Sequence, residues 1–591
     1  MGNILPVTFP GAWQTGSSGA TRRARPFGST VLYRTGPVGL ECRPAATTVR
    51  HTTSIGEGKR LPELSTADHG SSPPRIVVPR DYNAAHDLIE RNLRAGRADK
   101  VAFIDDAGTH TYGELARRVD RFAHALVDLG VRMEERVLLA LHDSIDFPTA
   151  FLGCVKAGVV PVCANTLLTT NDYEYMLRDS RARVLFVSAP LAPMFAPLMG
   201  KIPTLANAVV SGAGGDGLRP FAELLKGPDR PFAPAATTSD DPCFWLYSSG
   251  STGAPKGTVH VHASLIETAE LYARPILGLQ EDDVVFSAAK LFFAYGLGNS
   301  LTFPMAVGAT AVLMAERPTP TAVFARLKQH RPTVFYGVPT LYAALLASAD
   351  LPARSELRLR RCTSAGEALP EELGKRWSAH FGTDILDGIG STEMLHIYLS
   401  NRPGDVRYGT TGKPVPGYEV RIVDDHGAPV PMGEPGELQI SGPTSAAYYW
   451  NNREKSRATF QGPWTRSGDK YLQDADGYYV YAGRSDDMLK VSGMYVSPVE
   501  VEGALITHAA VLEAAVIGRE DDDRLVKPMA FVVLKPGHAA APDLAEALKQ
   551  HVKSRLAPFK YPRWLEFVDE LPKTATGKIQ RFKLRARVAV R

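Results

Sequence analysis

The stretch from Tyr247 to Gly257, YSSGSTGAPKG, gathers four Ser/Thr hydroxyls, three glycines and one lysine behind the apolar run CFWL. A buried strand that ends in such a turn brings several free backbone N–H groups together, and successive N–H groups make a concave anion site. Ser248, Ser249, Ser251 and Thr252 add donors, Gly250 and Gly253 let the backbone approach an oxygen closely, and Lys256 supplies the charge a polyphosphate demands. The spacing is not that of a Walker A loop, which needs glycine at 255 and Ser or Thr at 257, where Pro255 and Gly257 stand. Taken alone, an ordinary surface turn accounts for the loop as well as a phosphate cradle does.

Other reactive residue types give less. His260 and His262 could place two metal ligands on one strand face, but no third ligand lies nearby, and a structural role is favoured. Cys42, Cys154, Cys163, Cys243 and Cys362 form no CxxC pair and no zinc spacing; an odd, scattered set fits buried thiols in a reducing, cytoplasmic setting. With 44% hydrophobic and 22% charged residues the chain has an ordinary globular composition. A net charge of +4 over 591 residues argues against a nucleic-acid partner. No apolar run is long enough to span a membrane.

The elements that must position this loop are legible in outline. Residues 1–75 are rich in Gly, Ser, Pro and Arg without apolar periodicity, and are expected to be a disordered extension, with order beginning near Tyr82. In THTYGELARRVDRFAHALVDLG, Thr111 and Glu114 make a capping box, and Leu115, Val119, Phe122 and Leu126 share one helical face. The strand RVLLAL, the helix FPTAFLGCVKAG and the strand VVPVC begin a strand–helix alternation that continues to about residue 340, implying α/β layers of mostly parallel sheet. Between about 405 and 482, short strands alternate with Gly/Pro turns, as in a small barrel. A last α+β unit of strands AAVIG, AFVVL and WLEFV and helix DLAEALKQHVKSRL follows Arg484. The simplest partition is the extension, a large domain over 76–484 and a small one over 485–591.

The loop does not stand alone. SSGSTGAPKG, SAGEALP, DGIGSTE, WTRSGD, GRSDDMLKVSGMYVSPVEVE and PKTATGK follow one another in this order. Together they closely resemble the acyl-adenylate-forming family of acyl-CoA synthetases, adenylation domains and luciferases, from about residue 82 to the end. The resemblance implies a large N-terminal domain and a small, rotating C-terminal one. It also implies two half-reactions, in which a carboxylate attacks the α-phosphorus of ATP to give an acyl-AMP and a thiol, most often coenzyme A, then displaces AMP.

It implies roles as well. Lys256 and its loop would hold the β- and γ-phosphates, Thr392 the α-phosphate, and Glu393 a Mg²⁺ bridging phosphate oxygens. Asp469, assisted by Arg484, would accept the ribose hydroxyls, and Gly366, Glu367 and Ala368 would lie along adenine. Ile389 stands where the family usually carries an aromatic ring, offering apolar contact in place of stacking. Lys578 would reach into the site to contact the substrate carboxylate and the α-phosphate. Asp486 occupies the hinge position, and Gly493 the wall of the pantetheine tunnel.

The acid is also indicated. KLFFAYG has no carboxylate where amino-acid-activating relatives place one, and a buried ammonium without a partner is costly. Phe293, Ala294, Tyr295, Gly337, Ala365, His396 and Ile397 would line a short, ring-walled pocket suited to a flat aryl acid. SAAKLFFAYGLGN, ERPTP, DGIGSTEMLHI and VRYGTTGKPVPGYE are similar to the benzoate–CoA ligases, which also take hydroxy-, amino- or fluorobenzoates. An enzyme that loads a carrier-protein thiol, an inactive nucleotide-binding regulator and a luciferase-like oxidative activity are the other readings. Both a monomer and a homodimer are compatible with the sequence.

Overall fold

Thr111 caps the helix Tyr112–Asp128 as its spacing requires: its hydroxyl accepts from the Glu114 N–H, and the Glu114 carboxylate accepts from the Thr111 N–H. Leu115, Val119, Phe122 and Leu126 are all buried along the helix. The neighbouring helix Asp146–Lys156 approaches so closely that a Cβ at Gly153 would lie 2.5 Å from the Phe122 ring. The computed structural model describes residues 62–213, 217–248, 255–485, 487–491, 494–521, 525–573 and 579–589.

Two large mixed sheets form the body of the molecule. The first has eight strands, from edge to edge Tyr448–Tyr449, Lys256–Val261, Pro242–Ser248, Val160–Cys163, Arg136–Ala140, Val184–Ser188, Asn207–Ser211 and Arg219–Pro220. It is parallel from Pro242–Ser248 onward and antiparallel at its first two junctions. The second has nine strands: Lys413–Pro414, Ile397–Ser400, Ile385–Gly390, Arg361–Ser364, Val334–Gly337, Val284–Ser287, Thr310–Val312, Val101–Asp105 and Gly108–Thr111. Its interior is parallel from Ile385–Gly390 to Val101–Asp105. Strands such as Val334–Gly337 are buried throughout, as expected when helices cover both faces of a parallel sheet.

The region expected as a small barrel is a five-stranded antiparallel sheet that branches at one long strand. Trp464–Gln473 pairs with Gly436–Ser441, with Phe460–Gln461 and with Tyr479–Arg484, while Glu419–Val423 adds to Gly436–Ser441. The C-terminal domain builds its own cores on the two faces of one sheet. Val511–Glu520 runs antiparallel to Val526–Leu534, which runs parallel to Trp564–Phe567. Val516, Ala530 and Val532 pack with Val501, Leu505, Leu548 and Val552 on one face, and Ile517 and Phe531 pack with Leu584 on the other. No helix among the described residues is long and apolar enough to cross a membrane.

Regular structure starts earlier than the sequence pattern suggests. Thr66–Asp68 pairs with Arg75–Val77. Ser65 donates to buried Asp87 at 2.6 Å, and Asp87 also accepts from Tyr82 at 2.7 Å and from Arg91. A short hairpin moored by side-chain hydrogen bonds has no apolar stripe, and so no periodicity. Of the expected extension, residues 1–61 lie outside the described residues.

The turn after Ile385–Gly390 is tightly packed. A Cβ at Gly390 would lie 2.5 Å from the His396 carbonyl oxygen, and Leu395 takes φ of 65°. Gly390→Ala is expected to cost at least about 2 kcal/mol. Thermal unfolding checks this, and a wild-type melting temperature would show that the turn opens freely.

Candidate active site

The candidate residues collect where parallel strands end. Ala365, Gly366, Glu367 and Ala368 follow Arg361–Ser364, Gly337 closes Val334–Gly337, and Ile389 lies in Ile385–Gly390, with Thr392 and Glu393 in the turn just beyond. Phe293 precedes the short helix Ala294–Leu297, after the strand Val284–Ser287. The carboxyl ends of adjacent parallel strands are where open α/β sheets bind ligands, because the connecting loops diverge there and leave a crevice.

The first sheet delivers the strands Pro242–Ser248 and Lys256–Val261 to this crevice. Ser248 and Lys256 stand directly opposite one another on antiparallel strands, and both side chains approach Glu393. Ser248 Oγ donates to Glu393 Oε1 at 3.2 Å, Tyr449 OH donates to the same oxygen at 2.7 Å, and Lys256 Nζ lies 3.8 Å from it. Burial pulls the Lys256 ammonium below its usual range, against the pull of Glu393. For Glu393 burial works the other way, but Lys256, Tyr449 and Ser248 outweigh it and hold the carboxyl below its usual range. The result is a charged pair with little water around it. Magnesium suits such hard oxygen donors and commonly takes only one or two carboxylates alongside phosphate oxygens.

The turn carrying Thr392 and Glu393 is pinned from several sides. The Ser391 hydroxyl accepts from the Met394 N–H, Ala446 N–H donates to the Glu393 carbonyl at 2.8 Å, and Thr444 donates to the Met394 carbonyl at 2.8 Å. His260 Nε2 donates to the Thr392 carbonyl at 2.7 Å while its ring stacks on Phe244. Burial lowers the His260 pKa to about 4, so the ring is neutral and its Nε2 carries the proton. His262 Nδ1 accepts from the Ala84 N–H. Both histidines that sequence raised as metal ligands are thus engaged with backbone, and no group of three or more metal-ligating side chains occurs among the described residues.

Further along the crevice, Asp469 and Arg484 face each other across paired strands, with Arg484 Nη1 3.1 Å from Asp469 Oδ1. Asp469 is nearly buried, and Arg484 is half-exposed. Gly366 takes φ of +94° directly after its strand, a conformation that glycine accommodates without strain. Ile389 packs on the same core as Ala365 and Ile397.

The residues expected to wall an acid pocket come from separate segments that pack together. Phe293, Ala294 and Tyr295 pack on the core that holds Ala365 and Ile397. Tyr295 hydrogen-bonds Thr363, and its ring lies 5.6 Å from that of His396. A Cβ at Gly337 would meet the Tyr342 ring at 2.7 Å. His396 is fully enclosed: Nε2 meets Asn299 Oδ1 at 3.2 Å, Phe303 and Tyr272 flank the ring, and burial drives its pKa to about 3. It is therefore neutral, and its Nδ1 has no hydrogen-bond partner among the described residues.

Eight candidate residues lie outside the described residues: Ser249, Gly250, Ser251, Thr252, Gly253, Asp486, Gly493 and Lys578. The neighbours of Asp486 are well anchored, Ser485 donating to Glu437 at 2.7 Å and Asp487 pairing with Arg581 at 3.5 Å.

Sequence reasoning missed Tyr449, Asn299 and Asp143. Buried Asp143 accepts from the Leu291 N–H with both oxygens, at 3.2 and 3.3 Å, and so moors the segment that leads to Phe293. Burial raises its pKa to about 6. Tyr449 and Asp143 lie outside the quoted motifs, and Asn299 ends SAAKLFFAYGLGN without standing out by residue type, so only proximity marks them.

Comparison with known proteins was decisive. Residues 89–450 match the AMP-binding enzyme family, and residues 500–578 match the AMP-binding enzyme C-terminal domain. The chain is 68% identical over 525 residues to a benzoate–CoA ligase of Thauera aromatica, covering 88% of this chain and 99% of that one. It is 52% identical over 510 residues to a 4-hydroxybenzoate–CoA/benzoate–CoA ligase of Rhodopseudomonas palustris, covering 86% and 94%. The crystal structure of a benzoate CoA ligase from Burkholderia xenovorans superposes with a TM-score of 0.80 at 60% identity, covering 85% of this chain and all of that one.

His260→Gln keeps a donor for Thr392 but removes the titration. The unfolded imidazole titrates near 6.5 and the folded one at about 4, so the unfolded chain binds more protons between these values and the wild type loses stability as pH falls through that window. The melting-temperature advantage of wild type over the variant should therefore shrink on acidification from about pH 7.5 to about pH 4.5. A constant difference would show that the ring is not held neutral.

Proposed function

The chain belongs to the AMP-binding enzyme family, and on that premise we propose that it activates benzoate, or a close aryl carboxylate, with ATP and transfers the acyl group to coenzyme A. The observation that carries this reading is that Phe293 and Tyr295 pack on the core that holds Ala365 and Ile397, with a neutral His396 ring 5.6 Å from that of Tyr295, on the sheet whose outermost parallel strand leads into the turn of the Glu393–Lys256 pair. A flat, apolar ring fits the pocket, and its carboxylate would emerge beside the charges. The names of the Thauera and Rhodopseudomonas relatives point to the same class of acid.

The chemistry brings two anions together, so the site must supply positive charge and hold the reactants in line. We assign Lys256, with Ser248 through Gly253, to the β- and γ-phosphates, and Thr392 to the α-phosphate. Asp469 and Arg484 would hold the ribose. Gly366, Glu367, Ala368 and Ile389 would frame adenine. The Glu393 carboxylate and Ser248 hydroxyl fit magnesium, which when bound would offset negative charge on phosphate oxygens. Lys578 is assigned to the substrate carboxylate and the α-phosphate, and Gly493 to the thiol tunnel, reached after the C-terminal domain turns about Asp486. On this reading the large domain ends near residue 484, and the enzyme works in the cytoplasm, where ATP and coenzyme A are available.

A hydroxybenzoate is the second reading. It is favoured by the neutral, buried imidazole of His396, a polar group 5.6 Å from the Tyr295 ring. Pyrophosphate release measured over benzoate, 4-hydroxybenzoate, 2-aminobenzoate, cinnamate and hexanoate, with and without coenzyme A, separates these acids. Benzoate is expected to lead, with thioester formed on free coenzyme A, and a preference for hexanoate would overturn the pocket assignment.

Lys578→Ala should slow adenylation about 10²–10³-fold while largely sparing thioester formation from supplied benzoyl-AMP. An equal loss in both halves would remove Lys578 from its role. Gly493→Leu should do the reverse, making acyl-AMP without transferring it, and normal transfer would exclude the tunnel assignment.

A further inference from the structure

Tyr449 touches both charges of the site at once. Its short strand, Tyr448–Tyr449, is the edge of the eight-stranded sheet and pairs with Lys256–Val261, which sets Tyr449 opposite Thr258. The side chain is buried and packs against Phe460 with ring centroids 5.1 Å apart. Its hydroxyl donates to Glu393 Oε1 at 2.7 Å, and the face of its ring lies 4.4 Å from Lys256 Nζ.

An ammonium and a carboxylate left to themselves in a half-dry crevice close to a direct contact of about 2.8 Å. Here they stop at 3.8 Å. Tyr449 and Ser248 already occupy Glu393 Oε1, and the ammonium rests against the tyrosine ring, where it is attracted by the π face. Two donors on one oxygen also fix the plane of the carboxylate, so that Oε2 is the oxygen left for a cation. Burial and the neighbouring Glu393 raise the phenol pKa, so the hydroxyl stays a donor across the working pH range.

We propose that Tyr449 is a positioning residue that keeps Glu393 and Lys256 from closing on each other, holding one for a divalent cation and the other for phosphate. This rests on the reading that a metal–nucleotide complex binds in this crevice. Tyr449→Phe keeps the ring face and its packing but loses the hydroxyl, which donates to Glu393 at 2.7 Å and accepts from Lys256 at 3.4 Å, whereas Tyr449→Leu loses the ring face as well.

The test is titration of Mn²⁺ into each protein with a non-hydrolysable ATP analogue, followed by paramagnetic resonance, alongside analogue binding without metal and the KM for benzoate. Tyr449→Phe should need about tenfold more Mn²⁺ for half-saturation, with metal-free analogue binding, benzoate KM and melting temperature close to wild type. Tyr449→Leu should in addition weaken metal-free analogue binding about threefold. Unchanged Mn²⁺ saturation in Tyr449→Phe would overturn the proposal, as would a parallel rise in benzoate KM, which a merely structural role would produce. Wild type that binds no analogue would instead remove the nucleotide reading on which the proposal rests.

Discussion

A carboxylate and an ammonium held close but not in contact, with little water around them, set the terms for everything else in this crevice. Bringing Glu393 and Lys256 into such a place has a desolvation cost, and their attraction offsets it only if further hydrogen bonds complete the arrangement. Ser248, Tyr449 and the ring face of Tyr449 do so from one sheet. The backbone turn that aims Glu393 is held by His260 and by Thr444 and Ala446, which come from two stretches of chain far apart in sequence. A site with this much charge in low dielectric is poised for polyanions and cations, and the ligand then replaces the missing water.

The architecture answers the demand for two kinds of surface side by side. One parallel sheet ends in small residues and rings, and its outermost parallel strand leads directly into the charged turn. The other sheet brings the paired strands Pro242–Ser248 and Lys256–Val261 and the tyrosine edge strand against that turn. An apolar pocket and a charged cradle therefore share a boundary only a few residues wide, from Ile389 to Glu393. On the proposed function, an aryl acid and a nucleotide would meet along such a boundary without either needing the other's environment. Behind the pocket, Asp143 and Asn299 hold backbone and imidazole in place, so the aromatic wall rests on buried polar contacts.

Much of this was legible beforehand, and the reasons differ from place to place. The Thr111–Glu114 cap and the Leu115–Leu126 face are local, and local patterns survive in sequence. The buried strands showed as continuous apolar runs because both of their faces are covered. The hairpin at residues 66–77 was not seen, since its stability comes from Asp87, more than a dozen positions away. The five-stranded sheet was anticipated only as a barrel-like region: turn residues mark where strands end but not which strands pair. His260 was visible as one half of an HxH pattern, and only the fold showed that a carbonyl, not a metal, is its partner.

The sequence by itself determined the chemistry on offer: which residues can carry charge, where glycine is required, that the segment before Phe293 holds no carboxylate, and that six motifs occur in one order. Those properties belong to residue types and spacing along the chain. Only the tertiary structure decided which groups share an oxygen, how far Lys256 stands from Glu393, and that Tyr449, nearly two hundred residues after Lys256, lies between their demands. Distances across sheets depend on strand order and register, and neither is written in any local stretch of the chain.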